Sequence, residues 1–92
     1  MRFTLVFPES YNCRAAKWLK KHPDLRGRYL KTLQLLELDP LHPSLRLHAL
    51  RGRLQGIHSV SINLSYRITL EMVISDEEII LINIGDHHAV YD

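Results

Sequence analysis

The 92-residue chain contains one cysteine, so it cannot close an internal disulfide, and Cys13 is expected to be a structural bystander. Its first residues, MRFTLVFPES, hold only a short apolar run broken by Pro8, with neither the length nor the cleavage site of a secretory signal. No apolar run approaches the length of a membrane span. Together these features lead us to expect a reducing, cytoplasmic setting with no membrane partner. Low-complexity stretches and repeats are also missing, and with 46% hydrophobic and 24% charged residues a single globular domain over 1–92 is expected.

Charge is unevenly distributed. Residues 1–70 carry all twelve lysines and arginines against Glu9, Asp24, Glu37 and Asp39, a balance of +8. Residues 71–92 carry six acids and no lysine or arginine, a balance of −6, which leaves the chain at +2. Between Asp39 and Glu71 there is no acid at all, while Arg46, Arg51, Arg53 and Arg67 fall there with His42, His48 and His58. A solvated surface usually mixes both signs, so this interval favours contact with a polyanion over a merely soluble face.

Periodicity orders the elements. Phe3, Leu5 and Phe7 alternate with Arg2, Thr4 and Val6 along a strand that Pro8 ends. From about Ser10 the spacing becomes helical, with Tyr11, Ala15, Trp18 and Leu19 on one face, and Pro23 should stop this helix near His22. A second helix is expected to open at Pro23, bury Leu25, Tyr29, Leu33 and Leu36, and close at Asp39-Pro40. Residues 39–56, with Pro40, Pro43, Gly52 and Gly56, read mostly as loop with a short strand around Leu45–Ala49. Strands are expected at about 57–62, 66–74 and 79–84. In the second of them Tyr66, Ile68, Leu70, Met72 and Ile74 form an apolar row, and Arg67 faces away from it. The fold class is α+β: an N-terminal strand, a helical hairpin, then a three-stranded antiparallel sheet.

Fold alone names no function. Two places stand out: His48 within LRLHALRGRLQG, and Asp86-His87-His88 followed by Val90-Tyr91. Histidine exchanges protons near neutral pH, and RNA carries its own nucleophile in the 2′-hydroxyl. Two histidines and an arginine would therefore suffice for cleavage. Each residue also has a bland alternative. His48 suits an ordinary loop hydrogen bond, Arg67 a solvent-facing strand position and Tyr91 a core anchor. His87 and His88 suit a surface turn. The six histidines have no metal-ligand spacing, and neighbours on an extended backbone point in opposite directions, so no metal and no cofactor are expected.

The string Leu50-x-Gly52-x-Leu54-x-Gly56, then Tyr66-Arg67-Ile68, then Ile84-Gly85-Asp86-His87 with Tyr91 resembles the RelE/YafQ toxins, over nearly the whole chain. The resemblance implies the toxin of a type II toxin-antitoxin system, with a cognate antitoxin, mRNA and the ribosome as partners. It implies metal-independent mRNA cleavage by in-line attack of the 2′-hydroxyl. On that basis His87 is expected as general acid, His48 as base, Arg67 as phosphate stabiliser and Tyr91 as an orienting or stacking group. Arg46, Arg51, Arg53 and Ser61 are expected to bind RNA; Ser61 stands where the YafQ branch has a histidine, and Ser65 where it has an acid. ParE-like proteins share the fold but inhibit DNA gyrase by binding, and an inactive antitoxin-binding relative is the remaining alternative.

Overall fold

A computed structural model describes residues 2–91. Eight elements follow one another: β1 (Thr4–Val6), α1 (Glu9–Lys21), α2 (Arg26–Leu38), β2 (His48–Ala49), β3 (His58–Ser61), β4 (Arg67–Val73), β5 (Glu78–Gly85) and α3 (His87–Tyr91). The α+β class and the order strand, helical pair, strands are as expected.

The chain leaves β1 through Pro8, whose backbone is extended, and α1 starts at once. Glu9 in the first turn and Lys20 and Lys21 in the last complement the helix dipole. His22 turns away from helical geometry as the residue before a proline must. The second helix does not open at Pro23. Pro23–Leu25 form a single 3-10 turn, with the α-helix beginning at Arg26. The buried stripes are close to those expected: Tyr11, Ala15 and Trp18 on α1, then Tyr29, Thr32 and Leu36 on α2. Thr32 fits there because its hydroxyl donates to the carbonyl of Arg28 at 2.8 Å, one helical turn back.

The sheet is larger than three strands. Its order is β1-β5-β4-β3-β2, antiparallel except that β1 lies parallel to β5. The expected three-stranded unit is thus the centre of a mixed five-stranded sheet. β1 pairs with β5 because the amide and carbonyl groups of a half-buried segment need partners. At the other edge the two residues of β2 pair with β3. As the short apolar run of 79–84 suggested, β5 is central, with a strand on each side.

The core forms where Tyr11, Trp18, Tyr29 and Leu36 meet Val60, Ile68, Leu70 and Leu81. Only one pair of hydroxyls is sealed among them, Tyr11 and Tyr29, 2.9 Å apart. Burial pushes both phenols above their ordinary range. For Tyr11 the proximity of Tyr29 adds to this, while for Tyr29 the hydrogen bond with Tyr11 opposes it. One residue of the expected apolar row falls outside the core. β4 ends at Val73, and Ile74 sits 63% exposed in the 3-10 turn that leads to β5. Glu77 closes that turn in the left-handed region, φ 53°.

Candidate active site

Alternation along β4 sets up the site. Ile68 points into the core, so Arg67 and Thr69 point to the opposite side of the sheet. The register then aligns Ser61 with Arg67 and Ser59 with Thr69, and β2 brings His48 beside Ser59. His48 and Arg67, nineteen positions apart in sequence, become neighbours across β3.

Arg67 makes three polar contacts. Its Nε donates to Ser59 Oγ at 2.6 Å, its Nη2 donates to the Arg46 carbonyl at 3.1 Å, and the same Nη2 lies 3.3 Å from His48 Nδ1. None of these three partners is a carboxylate, so none of them cancels its positive charge. Arg46 adopts the left-handed conformation, φ 49°, which turns its carbonyl toward both Arg67 and His48 Nδ1, the latter at 3.3 Å.

The other wall is α3. Both histidines of Asp86-His87-His88 lie in this short helix and not in a loop. They diverge because successive helical residues are rotated by about 100°, not because the backbone is extended. The Asp86 carboxylate caps the helix by accepting from the Ala89 amide at 2.9 Å. Asn83 Nδ2 donates to the Ala89 carbonyl at 2.7 Å, and Val90 is buried beneath. Gly85 makes this close return possible: its φ is +153°, and a Cβ there would lie 2.6 Å from the Ala89 Cβ. One turn apart on α3, His87 and Tyr91 contact edge to face, ring centroids 4.3 Å apart. Tyr91 reaches over the sheet and donates its hydroxyl to Ser59 Oγ at 2.9 Å.

His48, His87 and Tyr91 therefore line one open recess of about 400 Å³, with Leu50, Arg51, Arg53 and Leu54 along its side. Arg67 adjoins it through His48 and Ser59. Four sequence-nominated side chains, His48, Arg67, His87 and Tyr91, are thus brought together, with Arg51 and Arg53 beside them. Arg46 and Ser61 are not in that group. Arg46 and Ser61 line a separate recess with Arg28 and Ser44, and the Ser61 hydroxyl donates to the Asn63 carbonyl at 2.7 Å.

Sequence reasoning missed Ser59. It is fully buried, and its oxygen accepts from both Arg67 and Tyr91. A signal was available, since Ser59 and Ser61 alternate with Val60 and Ile62 and so share the face of Arg67. Among the described residues no group of three His, Cys, Asp or Glu side chains is arranged to hold a metal, and no helix is long and apolar enough to cross a membrane.

No protein-family model and no curated protein matches the sequence. Solved structures do match. A chain of the E. coli DinJ-YafQ toxin-antitoxin complex superposes with TM-score 0.79 at 16% identity, covering all of both chains. The YoeB/ParE toxin from Agrobacterium tumefaciens gives 0.76 at 16% identity over 92% of this chain and 99% of its own. A chain of the RelBE2 toxin-antitoxin complex from Mycobacterium tuberculosis gives 0.64 at 17% identity over 95% and 100%. The fold expected from the sequence motifs is the fold observed: this chain has the fold of the RelE/YafQ toxins.

Proposed function

We propose that this chain is the toxin of a type II toxin-antitoxin pair and that it cleaves mRNA on the ribosome. The observation that carries this reading is the convergence of His48, His87 and Tyr91 on one open recess, with Arg67 beside it against His48 and Ser59. A protein that acts only by binding gyrase needs no such acid-base set.

The residues divide the chemistry as follows. His48 takes the proton of the 2′-hydroxyl as its oxygen attacks the adjacent phosphorus. Nδ1 of His48 lies 3.3 Å from both the Arg46 carbonyl and Arg67 Nη2, and a neutral ring satisfies only one of them as a hydrogen-bond partner. Donation from Nδ1 to the carbonyl leaves the lone pair on Nε2, the form that acts as base. The P–O5′ bond breaks, and His87 gives its proton to the departing 5′ oxygen. A 2′,3′-cyclic phosphate remains on one product. Arg67, with Nε and Nη2 already fixed, offers its remaining N–H groups to the phosphate oxygens, where negative charge builds. Tyr91 orients His87 through the ring contact and supplies a face for a base to stack on. Arg51 and Arg53 hold the backbone without reading sequence. No step calls for a metal or cofactor. A cognate antitoxin is the protein partner, and work on ribosomes belongs in the cytoplasm.

Induced expression, followed by mapping of mRNA ends alongside a gyrase supercoiling assay, tests the reading. New ends within translated messages are expected, with supercoiling unchanged. Inhibited supercoiling without new ends would replace it with the ParE-like reading. Neither effect, with antitoxin binding retained, would leave an inactive relative.

A further inference from the structure

We propose that Arg28, Lys31 and Arg46 form a second phosphate-binding subsite, which holds the same RNA strand a short distance from the cleaved bond. The proposal rests on the mRNA-cleavage reading only for the identity of the strand.

Two adjoining recesses, of about 350 and 340 Å³, share Arg28, Ser44 and Ser61 in their walls. Lys31 lines one and Arg46 the other, and no Asp or Glu lines either. Arg28 is exposed, yet its Nε donates to the carbonyl of buried Ile62 at 2.8 Å. That bond fixes the guanidinium over the recess, and its terminal nitrogens have no acceptor among the described residues. Part of the entropic cost of ordering a long side chain on a ligand is thereby met before binding. Neither the Lys31 ammonium nor the Arg46 guanidinium has an ion-pair partner among the described residues. Three uncompensated cations around a cavity with hydroxyl groups match a phosphodiester, which arginine recognises through paired N–H groups.

Position ties this subsite to the first. Arg46 touches both surroundings: its carbonyl accepts from Arg67, which adjoins the cleavage recess, and the residue lines the second recess. Arg46 thus links the surroundings of the two recesses. RNA supplies an anion at each nucleotide of one chain, so a single ligand can occupy both recesses.

The test uses the purified chain and 2′-O-methyl oligoribonucleotides, whose capped 2′ oxygen prevents cutting. Binding of a dinucleotide and of an octamer is measured over a range of salt. Arg28→Gln/Lys31→Gln is expected to weaken the octamer roughly tenfold at low salt and to reduce the slope of log K against log salt by about 0.7 for each phosphate that the variant no longer neutralises. The dinucleotide should bind as to the unaltered chain. Arg28→Lys with Lys31 intact keeps the charge while removing the Ile62 tether, and an intermediate octamer affinity is expected of it. A thermal melt identifies any variant that unfolds, in which case Lys31→Gln alone carries the comparison, with a smaller loss confined to the octamer.

Octamer binding unchanged in the double variant overturns the proposal, even if mRNA cleavage is intact. So does a variant that binds RNA normally but loses affinity for a protein partner, which would make the recess a protein-docking site. Octamer-specific loss in a chain that never cuts mRNA would support the subsite while removing the cleavage reading.

Discussion

The two sides of the sheet bury polar groups to opposite ends. On the side of α1 and α2, aromatic and aliphatic side chains exclude water, and the Tyr11–Tyr29 hydroxyl pair satisfies itself. On the side of Arg67, the buried Ser59 hydroxyl is a shared acceptor that faces outward, fixing one cation and one phenol at the edge of an open recess. A polar pair within the apolar side closes a gap in packing. A polar centre beneath the recess transmits order to the groups that meet a ligand. Substitutions on the two sides should accordingly fail in different ways: activity lost beyond what any stability loss explains on one, stability lost without a specific effect on activity on the other.

His87→Ala should give the largest effect, a loss of ~10²–10⁴-fold in cleavage with the melting temperature nearly unchanged, because the residue is exposed. His88→Ala, one position along α3, should be tolerated. Mapped mRNA ends read the first quantity and a thermal melt the second. Cutting at the wild-type rate would take His87 out of the mechanism.

Gly85→Ala comes next and blurs the comparison, since it strikes the helix that closes the recess. The added methyl meets Ala89, so α3 must shift. A stability cost of about 1–3 kcal/mol is expected, with cleavage down on the order of 10²-fold as His87 and Tyr91 are displaced. Activity retained at full rate would mean that α3 does not set the geometry.

Ser59→Ala sharpens the comparison. It leaves Arg67 Nε and the Tyr91 hydroxyl without their acceptor, a cost of about 1–3 kcal/mol in denaturant unfolding. RNA cleavage should fall more than this stability loss explains, because both partners flank the recess. Full cleavage in a folded variant would reduce Ser59 to a packing residue.

The smallest effects belong to the apolar side. Tyr11→Phe should cost about 1 kcal/mol, by orphaning the Tyr29 hydroxyl, while Tyr11→Phe/Tyr29→Phe should come close to the starting stability. Alkali reads the same pair. Both phenols titrate higher in the folded chain than in the unfolded one. Their protonated form therefore contributes its full stability below the unfolded value of about 10, and the contribution is lost as pH rises beyond it. Melting temperature should fall between pH 10 and 11 and should fall less in the double Phe variant. Equal slopes for both proteins would show that the pair is not the source.

How much of this was legible in the sequence follows the length of each signal. The helices and the last three strands announced themselves because Tyr11, Ala15 and Trp18, or Tyr66, Ile68 and Leu70, repeat often enough to define a period. The five residues of α3 do not, so His87 read as part of a surface turn, and β2 showed only as a short strand around Leu45–Ala49. Ser59 was hidden for another reason. A serine alternating with Val60 is what any solvent-facing strand position looks like, and Arg67 and Tyr91 reach its hydroxyl only in the folded chain. Arg28 gave no sign either, because the tether to Ile62 is a contact across 34 positions.

The register of β4 and β5 also gives the molecule two electrical poles. Arg67 pairs with Gly85 at one end of the hairpin and Val73 with Glu78 at the other. At ~3.3 Å per residue the two ends lie roughly 20 Å apart. Asp76, Glu77 and Glu78 crowd the far turn, and β1 brings the end of α2 to the same place, since Thr4 bonds to Glu77 and Phe3 to Glu37. A polyanion thus repels one end of the molecule and attracts the other. The resulting torque acts before any contact forms, turning the His48–His87 recess toward the polyanion, and it weakens as salt shortens the reach of the field.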